Sequence, residues 1–241
     1  MLPIRAGLES RSVDISVVAN ARHLGGLETA KGPTRLHDVV RSGVLRDLTA
    51  DGAAQLKDLG IRTVVDLRTE IERERAPEPD LSALGIRSVW APVVVRDPSP
   101  MGVSLEWGHT GFTWLYQNVL EYGRAAIVQL IDVLAASDGG VLYHCWAGED
   151  RTGLVTAVLL ALAGAPDDVI VADHSQSLNE EILAARGITG AAAIRRTLAP
   201  QDAMRDTLAM IRERWGDVSG YVLEAGASEQ AIAAFRARAF R

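Results

Sequence analysis

The sequence predicts an α/β fold, with a central, mostly parallel sheet of about four to five strands flanked by helices. Three observations carry that expectation. Ile61 to Leu67 and Val141-Leu142-Tyr143 are short, apolar, β-rich runs, as parallel strands covered on both faces require. Helical stretches surround them, Thr49 to Leu59 before the first and Leu154 to Leu162 after the second. From Phe112 to Leu134, apolar residues recur three and four positions apart, which is the stripe of a helix packed on a core.

Taken in order, residues 1–19 carry few signals, although Val13, Ile15 and Val17 alternate as in a short strand. Asn20 to Gly26 is a polar turn, and Val39-Val40-Arg41-Ser42-Gly43 reads as a short strand ending in another. Thr49 is placed to cap a helix whose first turn holds Asp51 and which stops at Gly60. The buried strand Ile61 to Leu67 then carries Asp66 at its C-terminal end, where ligands bind in open parallel sheets. That aspartate is either a helix cap or a partner for an arginine. Glu70 to Arg75, of mixed charge, reads as a solvated helical face. Pro77, Pro79 and Asp80 mark a turn, Ile86 to Trp90 a strand, and Pro92 to Pro100 a loop containing Asp97. Gly123 divides the Phe112–Leu134 stripe into two helices or a bend, with its aromatic residues in the core. After the Gly164-Ala165-Pro166 break a helix starts at Asp167 or Asp168 and runs to about Ala185, with His174 as an ordinary, partly buried histidine. Gly187 to Ala193 reads as a loop, and helices follow near 200–214, 218–225 and 228–239. With no repeat, linker or low-complexity tract, residues 1–241 are expected to form one domain.

The 241 residues are nearly half apolar and about a quarter charged, an ordinary globular composition with enough length for a real core. A formal net charge of −6 argues against a nucleic-acid partner. The single cysteine, Cys145, forms no internal disulfide and suits a reducing compartment. Met1 to Ser10 lacks an apolar signal core, and no clean apolar stretch is long enough to span a bilayer. A cytoplasmic location without membrane insertion is therefore expected, export without a signal peptide staying open.

The densest stretch is His144-Cys145-Trp146-Ala147-Gly148-Glu149-Asp150-Arg151-Thr152-Gly153, lying between the Val141 strand and the Leu154 helix. A loop at such a junction aims backbone N–H groups and the positive end of a helix dipole at one point, where an anion belongs. Into it the sequence puts the lone cysteine and, six residues later, an arginine. A thiolate needs positive surroundings, and a phosphate needs a two-pronged cationic donor. A buried structural cysteine would need neither Gly148 and Gly153, which let the backbone approach a ligand, nor Arg151.

His-Cys-x-x-Gly-x-x-Arg-Thr-Gly resembles the signature loop of the cysteine-dependent protein tyrosine phosphatase superfamily. The details Ala147-Gly148 and Asp150-Arg151-Thr152-Gly153 are most similar to its bacterial tyrosine and dual-specificity branch, which includes enzymes acting on phosphoinositides. Asn20 to Gly26, Arg41-Ser42-Gly43 and Gly60 to Arg68 extend the resemblance over most of the chain from about residue 19. The resemblance implies a protein-tyrosine-phosphatase-like fold and phosphomonoester hydrolysis without metal or other cofactor. Cys145 would attack phosphorus to form a cysteinyl-phosphate that water cleaves. Arg151 and the N–H groups from Trp146 through Ala147, Gly148, Glu149 and Asp150 to Arg151 would hold the phosphoryl oxygens. His144 would sit behind the cysteine, Thr152 would donate to the departing sulfur, Arg22 would lie near the site, and Asp66 would hold a phosphate-binding arginine. Asp150 is the expected general acid, against a purely structural hydrogen-bonding role, with Asp97 in reserve because no Trp-Pro-Asp triplet occurs.

Glu149 departs from the pattern, which usually has lysine there. A carboxylate facing the mouth would repel a highly phosphorylated headgroup, so phosphoinositides are disfavoured. Trp146 could stack on a phosphotyrosine ring or nucleobase, or pack under the loop. The expected substrate is a phosphorylated protein, tyrosine-specific or of dual specificity. A small-molecule phosphatase acting on a nucleoside or sugar phosphate, and a catalytically idle phosphate-binding module, are the alternatives.

Overall fold

The computed structural model describes residues 11–94, 109–178 and 190–241. Its five-stranded sheet comprises β1 (Arg22–His23), β2 (Val39–Ser42), β3 (Ile61–Asp66), β4 (Arg87–Trp90) and β5 (Gly140–His144), in the order β1-β2-β5-β3-β4. Only the β1–β2 pair is antiparallel; β2–β5, β5–β3 and β3–β4 run parallel. The fold class is therefore the expected one. Strand β5 lies in the middle with all five residues buried. Ser42 and Asp66 stand in register on either side of His144, so the three strands end level and Cys145 leaves at their common C-terminal edge.

The helices are α1 (Ala50–Asp58), α2 (Glu70–Arg75), α3 (His109–Tyr122), α4 (Arg124–Ala136), α5 (Asp150–Leu162), α6 (Asp167–Ser175), α7 (Gly190–Trp215), α8 (Val218–Glu224) and α9 (Glu229–Arg238). The period-two alternation of the strands feeds two cores. Val65 and Tyr143 face one with Phe112, Leu130, Val158 and Phe235, whereas Val64 and Leu142 face the other with Val40, Leu56 and Ile86. Helix α5 has no polar face: residues 152–160 are all buried, so it forms the centre of the larger core. Thr49 caps α1 by accepting from the Gly52 amide, and Thr69 and Glu72 form a capping box on α2.

Several local expectations differ from the structure. The alternation at Val13, Ile15 and Val17 yields no strand, only a bridge between Ser12 and Arg22, because Val17 takes a left-handed turn at φ 62°. Helix α6 ends at Ser175 in a 3-10 turn over Gln176–Leu178. Helix α7 begins at Gly190, inside the expected Gly187–Ala193 loop, and contains Pro200. Packing against α3 and α6 offsets the backbone bond that a proline costs a helix interior. Asp97 lies outside the described residues.

Candidate active site

The chain turns from β5 into α5 through Cys145–Glu149, and each carbonyl on the way is held from behind. His144 Nδ1 lies 3.0 Å from the Cys145 oxygen, and the Val44 amide donates to Trp146 O at 3.0 Å. Asn20 Nδ2 donates to Ala147 O and Gly148 O at 3.3 and 3.2 Å. Arg41 Nη2 donates to Gly148 O at 2.7 Å and Glu149 O at 3.4 Å. In a planar trans peptide, C=O and the next N–H point oppositely. The amides of residues 146 to 150 are thus turned away from this scaffold. Those of Trp146, Ala147 and Gly148 make no hydrogen bond among the described residues, and α5 begins without a side-chain cap. The result is a concave row of donors at a helix N-terminus.

Gly148 makes the turn possible. Its φ is +71°, and a Cβ there would come within 2.5 Å of the Ser42 carbonyl group. Cys145 is 3% exposed.

Arg151 belongs to the first turn of α5. Glu72 holds its guanidinium end-on, with Nη1 to Oε2 at 2.6 Å and Nη2 to Oε1 at 2.5 Å. Burial alone would raise the Glu72 carboxyl, but the bond and charge of Arg151 bring it down to about 2. The pair uses one N–H from each terminal nitrogen of a group with five, so the Nε edge retains its donors for an oxyanion.

His144 is fully buried, with Nδ1 facing a carbonyl and Nε2 2.8 Å from Glu78 Oε1, at too poor an angle for a good hydrogen bond. Two acceptors favour the doubly protonated ring. Burial opposes this, yet Glu78 raises the His144 pKa above its ordinary value. Tyr116 on α3 brings its hydroxyl against Asp150 and within 2.6 Å of His174 Nε2.

Beneath the loop, Asp173 gathers Arg11, Arg22 and Arg41 at 2.6, 3.2 and 2.9 Å, all four buried. Burial would raise its carboxyl, but the three guanidiniums hold it far below the usual range. Arg22 also donates to Asn20 Oδ1 at 2.7 Å, fixing the side chain that clamps the loop.

Several sequence expectations are corrected here. Asp66, expected either to cap a helix or to hold an arginine, pairs with Arg68 and Arg73, which its place at the strand end puts in reach. Glu149, the residue before α5, is 5% exposed and so is not presented to solvent. His174 is fully rather than partly buried, and its neighbourhood keeps it neutral, burial first and then Arg41 lowering it to about 3. Trp146 stands at the rim, 37% exposed, with Arg46 5.6 Å from its ring centre. Thr152 Oγ1 is buried with no hydrogen-bond partner among the described residues, two helical positions from the cradle. Glu72, Arg41, Asp173, Glu78 and Tyr116 received no role from sequence. The Thr69-x-x-Glu72 capping-box pattern singles out Glu72, but not its arginine.

Asp66, Glu78 and His144 offer ligand atoms within 4.8 Å of one another. Arg68 and Arg73 already neutralise Asp66, and Arg68 also reaches Glu78, so this cluster is an ion-pair network rather than a cation cage.

Residues 13–241 match the model of the family described as the tyrosine phosphatase family. The chain belongs to that family. A tyrosine-protein phosphatase of Nostoc commune is 30% identical over 220 residues, 83% of this chain and 73% of that protein. The triple specificity protein phosphatase PtpB of Mycobacterium tuberculosis is 30% identical over 189 residues, 66% of each chain. Among solved structures, the core catalytic domain of the PP-IP phosphatase SIW14 from S. cerevisiae aligns with TM-score 0.42 at 12% identity, covering 81% of this chain and 91% of that one. The phosphatase is a hydrolase of phosphate monoesters. No helix among its described residues is long and apolar enough to cross a membrane.

Proposed function

We propose that this phosphatase removes phosphate from tyrosine in proteins, in a cytoplasmic setting that keeps Cys145 reduced, through a cysteinyl-phosphate. The observation that carries the reading is the loop whose carbonyls from Cys145 to Glu149 are all held from behind, while the amides of Trp146, Ala147 and Gly148 keep no partner among the described residues. In the first step Cys145 Sγ forms a bond to phosphorus while the bond to the phenolic oxygen breaks, and Asp150 gives that oxygen its proton. In the second step water attacks phosphorus, Asp150 takes the proton back, and the sulfur leaves as thiolate, receiving a hydrogen bond from Thr152. Arg151 and the amides of residues 146–151 hold the equatorial oxygens throughout.

The preference for tyrosine rests on depth. Cys145 is almost sealed while the adjacent Trp146 is more than a third exposed, so the sulfur lies below an aromatic rim that a long aryl phosphate spans. A broader specificity has one observation in its favour: Glu149 is buried, so its carboxylate is not presented to solvent at the rim. Acid-quench of the wild-type enzyme during turnover of a phosphotyrosine peptide is expected to trap phosphate on Cys145, with none trapped on Cys145→Ser. A matched panel of phosphotyrosine and phosphothreonine peptides, inositol phosphates and nucleotides should rank phosphotyrosine first by kcat/KM. Turnover by Cys145→Ser would refute the covalent route, and a nucleotide or sugar phosphate at the head of the ranking would move the substrate class.

A further inference from the structure

Behind Asp150 runs a buried polar chain to which the reaction just described gives no task. Tyr116 of α3 and His174 of α6 are fully buried, with rings edge-on and centres 5.4 Å apart. The Tyr116 hydroxyl lies 2.6 Å from His174 Nε2 on one side and near the Asp150 carboxyl group on the other. The other ring nitrogen, His174 Nδ1, is buried without a partner among the described residues and abuts Gly153 of α5, where a Cβ would approach to 2.4 Å. Glycine at that position is what admits the imidazole.

The direction of the chain follows from this packing. A proton on Nδ1 would be an orphaned buried donor, which costs more than a bare lone pair, so the neutral ring carries its proton on Nε2. Nε2–H then donates to the Tyr116 oxygen, and the Tyr116 O–H is left to donate to Asp150. The charged groups around the chain are Arg41 from β2, Arg22 from β1, Asp173 from α6, Glu149 from the loop and Arg151 from α5. Burial and Arg41 keep His174 neutral down to about 3, and burial raises the Tyr116 hydroxyl well above its ordinary value. Neither group changes charge over the working range.

We propose that Tyr116, oriented by His174, is a positioning residue for Asp150, anchoring one carboxyl oxygen so that the other faces the leaving group. The inference rests on the reading of Asp150 as general acid. In Tyr116→Phe the ring stays and the donor goes. With phenyl phosphates of increasing leaving-group pKa, kcat is expected to fall about tenfold for the poorest leaving groups and less than about threefold for p-nitrophenyl phosphate. A donor to a carboxylate favours its ionised form, so its loss should also move the basic limb of the pH–rate profile upward. His174→Gln should show the same signature more weakly, and carries the test if Tyr116→Phe does not fold. An equal loss on every substrate with an unmoved pH profile, or no change at all, would overturn the inference. Asp150→Asn separates the two claims. If it leaves the leaving-group dependence unchanged, the acid assignment falls; if it steepens that dependence and Tyr116→Phe does not, this inference alone falls.

Discussion

The two sides of the Cys145–Glu149 loop are built on opposite plans. Behind it lies an enclosed charge network in which Asp173 pairs with three guanidiniums and Arg41 and Asn20 reach the carbonyls. In front, the amides of Trp146, Ala147 and Gly148 have no partner among the described residues, and Arg151 is held by a partly exposed Glu72. A buried, cross-bonded back keeps the loop in one shape, and that shape denies the front its internal partners. The front is thus complementary to an oxyanion before any arrives, which is what electrostatic preorganisation means.

Substitutions on the two sides should separate stability from activity. At the back, Asp173→Ala leaves three buried guanidiniums uncompensated and is expected to cost about 3–5 kcal/mol, read as a large fall in melting temperature. At the front, Arg151→Lys keeps the charge but loses the fork. We expect kcat/KM to fall about 10²- to 10³-fold with little change in thermal unfolding. A stable Asp173→Ala, or an unstable Arg151→Lys, would break the division.

The strand, loop and helix around Cys145 were legible because their cues are local: an apolar run before the loop, Gly148 and Gly153 within the motif, and the longer apolar run from Leu154 to Leu162 after it. The partners of that loop were not. Arg151 meets Glu72 across 79 positions, and Arg41 and Arg22 meet Asp173 across 132 and 151. No periodicity or spacing rule spans such gaps. Glu72 looked like one more charge on a solvated face, and Tyr116 like another core aromatic in a helical stripe. Glu149 differs in another way: its charge was plain in the sequence, but its burial depends on how the folded loop is held.

Smaller effects sharpen the comparison. Asn20 sits at φ 62°, so Asn20→Gly removes the clamp on Ala147 O and Gly148 O without backbone strain. Loss of donors worth about 1 kcal/mol each should lower kcat/KM about tenfold in a phosphatase assay, with a modest stability change. Smallest is the pH response. Glu72, with its pKa depressed, contributes stability at neutral pH that is lost as pH falls from 4.5 toward about 2. His144, with its pKa raised, contributes stability that is full below 6.5 and fades as pH climbs through its folded value. Urea denaturation from pH 5 to 9 should therefore show an alkaline decline that Glu78→Gln flattens. An unchanged slope would remove Glu78 as the partner of His144.

The central claim is that the loop is an oxyanion cradle formed in advance, and titration of ¹⁵N-labelled protein with vanadate tests it most directly. Amide resonances of Trp146, Ala147, Gly148, Glu149 and Asp150, with the Arg151 Nε–H, should move together at one saturating stoichiometry while Asn20 and Arg41 stay still. Vanadate that binds without moving those amides, or moves them only by reorganising the scaffold behind, would contradict the account.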